Sequence, residues 1–112
     1  MSTGFVLILT TCPDAQTAER MAGLLVEEKL AACVNILGGM RSVYTWRGAV
    51  ETTNEHLLII KTARERYREV ERAIRVNHPY ELPEVIAVPI KAGSEAYLGW
   101  ISALVCGKQR AS

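Results

Sequence analysis

Seven consecutive residues, His78-Pro79-Tyr80-Glu81-Leu82-Pro83-Glu84, bring together an imidazole, a phenol, two carboxylates and two prolines. An imidazole can ligate a metal or move a proton near neutral pH. Two carboxylates can divide the roles of acid and base, although a pair in a loop is weak support for catalysis. Each proline fixes its own φ and drives the residue before it toward extended backbone, so the segment is stiff and its side chains are held in place. The plainer reading is structural: the prolines stop a helix, Tyr80 seals a core edge and the charges are solvated.

Other reactive side chains are spread along the chain. Cys12 precedes Pro13-Asp14, a pair that suits a helix start. A thiol at a helix N-terminus has a lowered pKa, which makes Cys12 a candidate soft metal ligand or redox-sensitive group; the alternative is a simple role at the cap. Cys33, between Ala32 and Val34, reads as an inert buried thiol, and His56, alternating with Leu58 and Ile60, as a satisfied, partly buried histidine. Lys61 falls at the end of a central strand, where burial without a partner is costly. Glu55 or Glu81 is the expected partner. Tyr44, Trp46, Glu55, Lys61, Tyr80, Glu81 and Glu84 thus outline a candidate polar pocket between subunits, able to take a small anion or metabolite. The competing reading is an ion pair that fixes subunit register, with Tyr44 and Trp46 as interface rather than ligand platform.

The bulk properties narrow the field. A chain of 112 residues is expected to form a single domain over 1–112, with an ordered core at about 4–106. A net charge of +1 supplies no basic excess for nucleic acid. The arginines of 64–72 alternate with glutamates, the pattern of a solvated helix face. Three widely spaced cysteines with no CxxC pair suggest thiols in a reducing compartment. The first residues have neither the basic stretch nor the long apolar core of a signal peptide, and the apolar runs fall far short of the ~20 residues that span a membrane. A cytoplasmic protein with no membrane segment is the expectation. No GxSxG, HExxH or GxxxxGK[ST] motif is present, so no enzyme class is indicated.

The elements that must position these residues follow from periodicity. Apolar runs at 5–9, 57–60 and 85–90 read as strands buried on both faces. Helical spacing at Ala18, Met21, Ala22 and Leu25 predicts a helix to about Lys29. A strand over 31–37 should end in a turn at Gly38-Gly39, with 41–47 extended beyond it. A hairpin turn at Arg47-Gly48-Ala49 leads into a strand over 50–62, on which Glu51, Glu55 and Lys61 share one side and His56 takes the other. A helix over 63–76, a strand over 85–90 with Pro89 at an edge or bulge, and a last helix capped by Ser94 complete the chain. The polar tail at 107–112 is expected to fray.

The order β-α-β-β-α-β plus a helix defines an α+β, ferredoxin-like βαββαβ sandwich with an additional C-terminal helix. Its two crossover helices cover one sheet face, yet the strands are apolar toward both. A bare apolar face is too large a patch for a soluble monomer, so the second face is expected to pack against other copies in a closed assembly. The alternative cover is the last helix.

Five blocks then resemble one family: Ala31-Ala32-Cys33-Val34-Asn35-Ile36, Ser42-Val43-Tyr44-Thr45-Trp46-Arg47-Gly48, Lys61-Thr62, the His78–Glu84 segment, and Tyr97-Leu98-Gly99-Trp100-Ile101. In type and order they resemble the CutA divalent-cation tolerance proteins, over nearly the whole chain from Val6 to about Leu104. The resemblance implies a homotrimer similar in architecture to the PII signalling proteins, no established catalytic activity, and an association with tolerance to copper and other divalent ions. No cofactor is obligatory; copper(II) or another divalent cation is the implied ligand. The metal-binding form of the motif has a cysteine at the end of the first strand, where this chain has Thr10, and two adjacent histidines, where it has Asn77-His78. His78 carries over directly; Cys12, two residues past Thr10, is the other candidate metal ligand. A PII-like sensor of a small anion and a purely structural trimer are the alternatives.

Overall fold

A computed structural model describes residues 3–106; the tail at 107–112 lies outside them. The order is β1 (Phe5–Cys12), α1 (Ala15–Glu27), β2 (Cys33–Trp46), β3 (Ala49–Ala63), a 3-10 turn (Arg64–Arg66), α2 (Tyr67–Asn77), β4 (Ile86–Pro89) and α3 (Glu95–Val105). The strands form one antiparallel sheet in the order β2-β3-β1-β4, the ferredoxin-like arrangement read from the sequence. Pro89 lies on the edge strand, where a missing N–H is tolerated. Ser94 caps α3, accepting from the Tyr97 N–H at 3.2 Å.

Alternation along the strands sorts the two faces. Val6, Ile8, Leu58 and Ile60 point to one face and pack against Ala18, Met21 and Leu25 of α1 and Val70 and Ile74 of α2. This is the main core. The last helix lies on the opposite face, where Ile101 and Val105 pack with Ala63 and Phe5. It covers one end of that face only. Leu7, Leu9, Leu57 and Ile59 stay half-buried, and Leu37, Ile86 and Val88 are 53%, 50% and 42% exposed. An apolar sheet face therefore remains largely open in the single chain.

Two local expectations are corrected. Gly38-Gly39 is not a turn. β2 runs on to Trp46 with a bulge between Leu37 and Met40, because the 15 residues of β3 offer partners on both sides of it. Gly39 takes φ +77, and a Cβ on Gly38 would stand 3.0 Å from His56 Nε2. The hairpin turn falls at Arg47-Gly48, as read from the sequence, with both residues at positive φ (54 and 82), as a two-residue type I′ turn requires. The other correction concerns Cys12. The strand carries on through it, opposite His56, and the helix begins later, capped by Asp14, whose carboxylate accepts from the Thr17 N–H at 2.8 Å.

Candidate functional site

The bulge and the long hairpin carry Ser42, Tyr44 and Trp46 past the end of the α-helical layer, and the stiff 78–84 loop folds back against them. Between hairpin and loop lies a cleft of about 700 Å³, lined by Tyr44, Trp46, Glu55, Tyr80, Glu81 and Glu84 among others. Six of the seven pocket residues read from the sequence thus meet in one place.

Glu55 anchors it. Its side chain is buried; one carboxylate oxygen accepts from Ser42 Oγ at 2.5 Å and the other from the Tyr80 hydroxyl at 2.8 Å. Burial, then the Glu55 carboxylate, pushes the Tyr80 phenol well above its ordinary pKa. Glu84 is raised too, first by burial and then by the charge of Glu55. Tyr44 Oη shares a 2.7 Å hydrogen bond with Thr53 Oγ1. At the mouth Arg47 bonds Glu81 at 3.3 Å and lies 5.4 Å from the centre of the Trp46 ring.

Lys61 is not part of this cleft. It shares the face of Glu55, but six residues of strand at about 3.3 Å each separate the two positions by roughly 20 Å. Its ammonium lies 5.8 Å from the Tyr97 ring centre instead. Within the single chain Glu55 is held by Ser42 and Tyr80, and Glu81 by Arg47, rather than by Lys61.

His78 is buried at the start of the loop. Nδ1 accepts the Tyr80 backbone N–H at 3.1 Å, so Nε2 carries the proton and donates to the Thr11 carbonyl at 2.7 Å. Both ring nitrogens are committed, and neither offers a lone pair. Cys12 is fully buried. Burial, with the nearby charges of Asp14 and Glu55, pushes its thiol up to about 11, the reverse of the lowering expected at a helix N-terminus. In this conformation His78 and Cys12 do not fit copper(II), which needs a free imidazole nitrogen or a thiolate. Among the described residues no group of three or more His, Cys, Asp or Glu side chains is placed to hold a metal ion. His56 is partly buried, as read, but its Nδ1 has no hydrogen-bond partner among them.

The thiol shift predicts a pH dependence. The unfolded chain loses the Cys12 proton near 9, whereas the folded chain keeps it to about 11. The folded state then binds more protons, so this contribution is complete below pH 9 and falls as pH rises through the window. At about 1.4 kcal/mol per unit the loss is on the order of 2–3 kcal/mol. Tyr80 acts in the same direction above 10. Urea midpoints should fall steadily from pH 9 upward, and Cys12→Ala should flatten the first part of that fall. An equally steep fall in Cys12→Ala would place the alkaline sensitivity elsewhere.

Ser42 and Arg47 are site residues that the sequence reading passed over. Ser42 shares strand parity with Tyr44 and Trp46, which was a usable signal. Arg47 gave only a turn signal.

The fold defines a ferredoxin-like α+β protein with an acidic, aromatic cleft beside a long hairpin. Comparison with known proteins gives that class a family. A sequence model described as CutA1 divalent ion tolerance protein matches residues 6–104. Protein CutA 1, chloroplastic, of Oryza sativa is 46% identical over 96 residues, covering 86% of this chain and 54% of the relative. The divalent-cation tolerance protein CutA of Thermus thermophilus is 41% identical over 95 residues, covering 85% and 92%. The crystal structure of CutA from Xylella fastidiosa superposes with a TM-score of 0.90 at 43% identity, covering 92% of this chain and 99% of that one. The chain belongs to the CutA1 divalent-ion tolerance family. It spans about half the length of the curated plant relatives it matches. The family is described by tolerance to ions rather than by a reaction. No helix among the described residues is long and apolar enough to cross a membrane.

Proposed function

We propose that the chain works as a non-enzymatic homotrimer in the response to divalent cations, with the hairpin–loop cleft as the surface that meets cations. The open apolar sheet face supports the assembly. The observation that carries the cleft is its lining: Glu55, Glu81 and Glu84, with Glu81 paired among the described residues to Arg47. Three carboxylates repel an anion, so the PII-like reading with an anionic ligand fits less well. Oxygen donors suit hard divalent ions such as manganese or magnesium better than copper. Copper(II) at His78 requires that ring to leave Thr11 and turn outward. Three widely spaced cysteines without a CxxC pair support a reducing, cytoplasmic setting.

Native mass spectrometry and metal titration test this together. The intact chain should run as a trimer and take up manganese(II) in a way that Glu84→Gln weakens several-fold and His78→Ala leaves unchanged. A monomer would remove the assembly. Stoichiometric copper(II) uptake lost in His78→Ala would return the metal to the loop histidine.

A further inference from the structure

We infer that the hairpin–loop cleft is a site for a small organic cation bearing a guanidinium or ammonium group, and that Arg47 is its built-in occupant at the mouth. This rests on the reading of the cleft as cation-binding and names the kind of cation.

The lining attracts a divalent ion by charge without gathering ligands around it, and it offers an organic cation more contacts. A divalent metal needs several convergent oxygens with free lone pairs. Glu55, the deepest carboxylate, has an oxygen on each of Ser42 and Tyr80, and the three glutamates are not gathered as a metal cluster. An organic cation needs a cavity, aromatic faces and unneutralised negative charge nearby. The cleft holds Tyr44, Trp46 and Tyr80 beside Glu55, Glu81 and Glu84, in a volume that suits a small molecule.

The protein already shows the recognition in place. The Arg47 guanidinium sits over the Trp46 ring and bonds Glu81, the two contacts that a ligand cation would make. Both partners of that ion pair are exposed, with side chains 73% and 74% accessible, so the contact is weak and easily exchanged. The residue stands in a turn at φ +54, where asparagine is tolerated better than most residues. Arg47→Asn therefore removes the occupant and keeps the hairpin.

Isothermal titration of the full chain with agmatine, which carries a guanidinium and an ammonium, tests the assignment. Wild type should bind; Arg47→Asn should bind about tenfold tighter, and Trp46→Leu about tenfold weaker, the scale of one cation–π contact. Circular dichroism and native mass confirm that each variant keeps its fold and assembly. No heat with agmatine in either wild type or Arg47→Asn would overturn the inference, as would unchanged binding in Trp46→Leu. Tighter binding of a blocked Gly-Arg-Gly peptide than of agmatine would overturn the small-molecule form, making a protein side chain the ligand. Manganese(II) uptake without agmatine binding would sink this inference and leave the proposed function standing; absence of both would sink the two together.

Discussion

Ile59→Glu should convert the proposed trimer to single chains of 12.4 kDa while leaving the protomer folded. Ile59 lies in a central strand, between Leu9 of β1 and Asn35 of β2, on the face that α3 leaves open. It is only half-buried in the lone chain, so a glutamate there can keep its water in a monomer. In a closed assembly the same position loses about 1.5–3 kcal/mol of apolar burial per copy. It also gains an unpaired carboxylate, whose desolvation costs several kcal/mol more. Symmetry repeats that penalty in every subunit. Native mass and far-UV circular dichroism read the two halves of the expectation. A trimer that survives Ile59→Glu would show that this face is not where copies meet.

Glu55→Ala should lower stability by about 2–4 kcal/mol, whereas Glu55→Gln should keep most of it. The carboxylate accepts two hydroxyl hydrogen bonds, and bonds to a charged group are worth about 1.5–3 kcal/mol each. Alanine leaves the hydroxyls of Ser42 and Tyr80 facing a void. Glutamine retains an oxygen for Tyr80 and presents its amide group to the Ser42 oxygen. Tyr80→Phe should cost about 1–2 kcal/mol, and the Tyr80→Phe, Glu55→Ala pair less than the sum of its members, because both break the same bond. Urea denaturation of the four proteins measures this. Full additivity would mean that the 2.8 Å contact contributes nothing to the fold.

Much of the architecture was legible because it depends on alternation. The apolar runs gave the strands, and the positions of Glu55 and Lys61 on a shared face were readable from parity alone. What failed was distance along that face: parity cannot say that Lys61 ends up beside Tyr97, at the far end from Glu55. Gly38-Gly39 failed for a related reason. A glycine pair signals positive φ, which a turn and a bulge both use, and only the matching length of β3 distinguishes them. At Thr10-Thr11-Cys12-Pro13-Asp14 two residues could open the helix, and the cap fell to Asp14 because the Thr17 N–H lies three positions on. His78 was visible as an imidazole. Its commitment to Thr11, 67 positions earlier in the chain, is tertiary and has no local signature.

Pro89 has a further consequence. The Ile90 N–H donates inward to Phe5 and its carbonyl accepts from Thr3, so in alternation the N–H groups of Ala87 and Pro89 are the ones aimed away from the sheet. Proline has none. The β4 rim of the sheet is therefore four residues long with one outward donor where two would stand, too little to template a growing stack of chains. Backbone pairing between chains is thereby left to the opposite rim, the 14-residue β2, and a single imino acid makes the two edges of the sheet unequal.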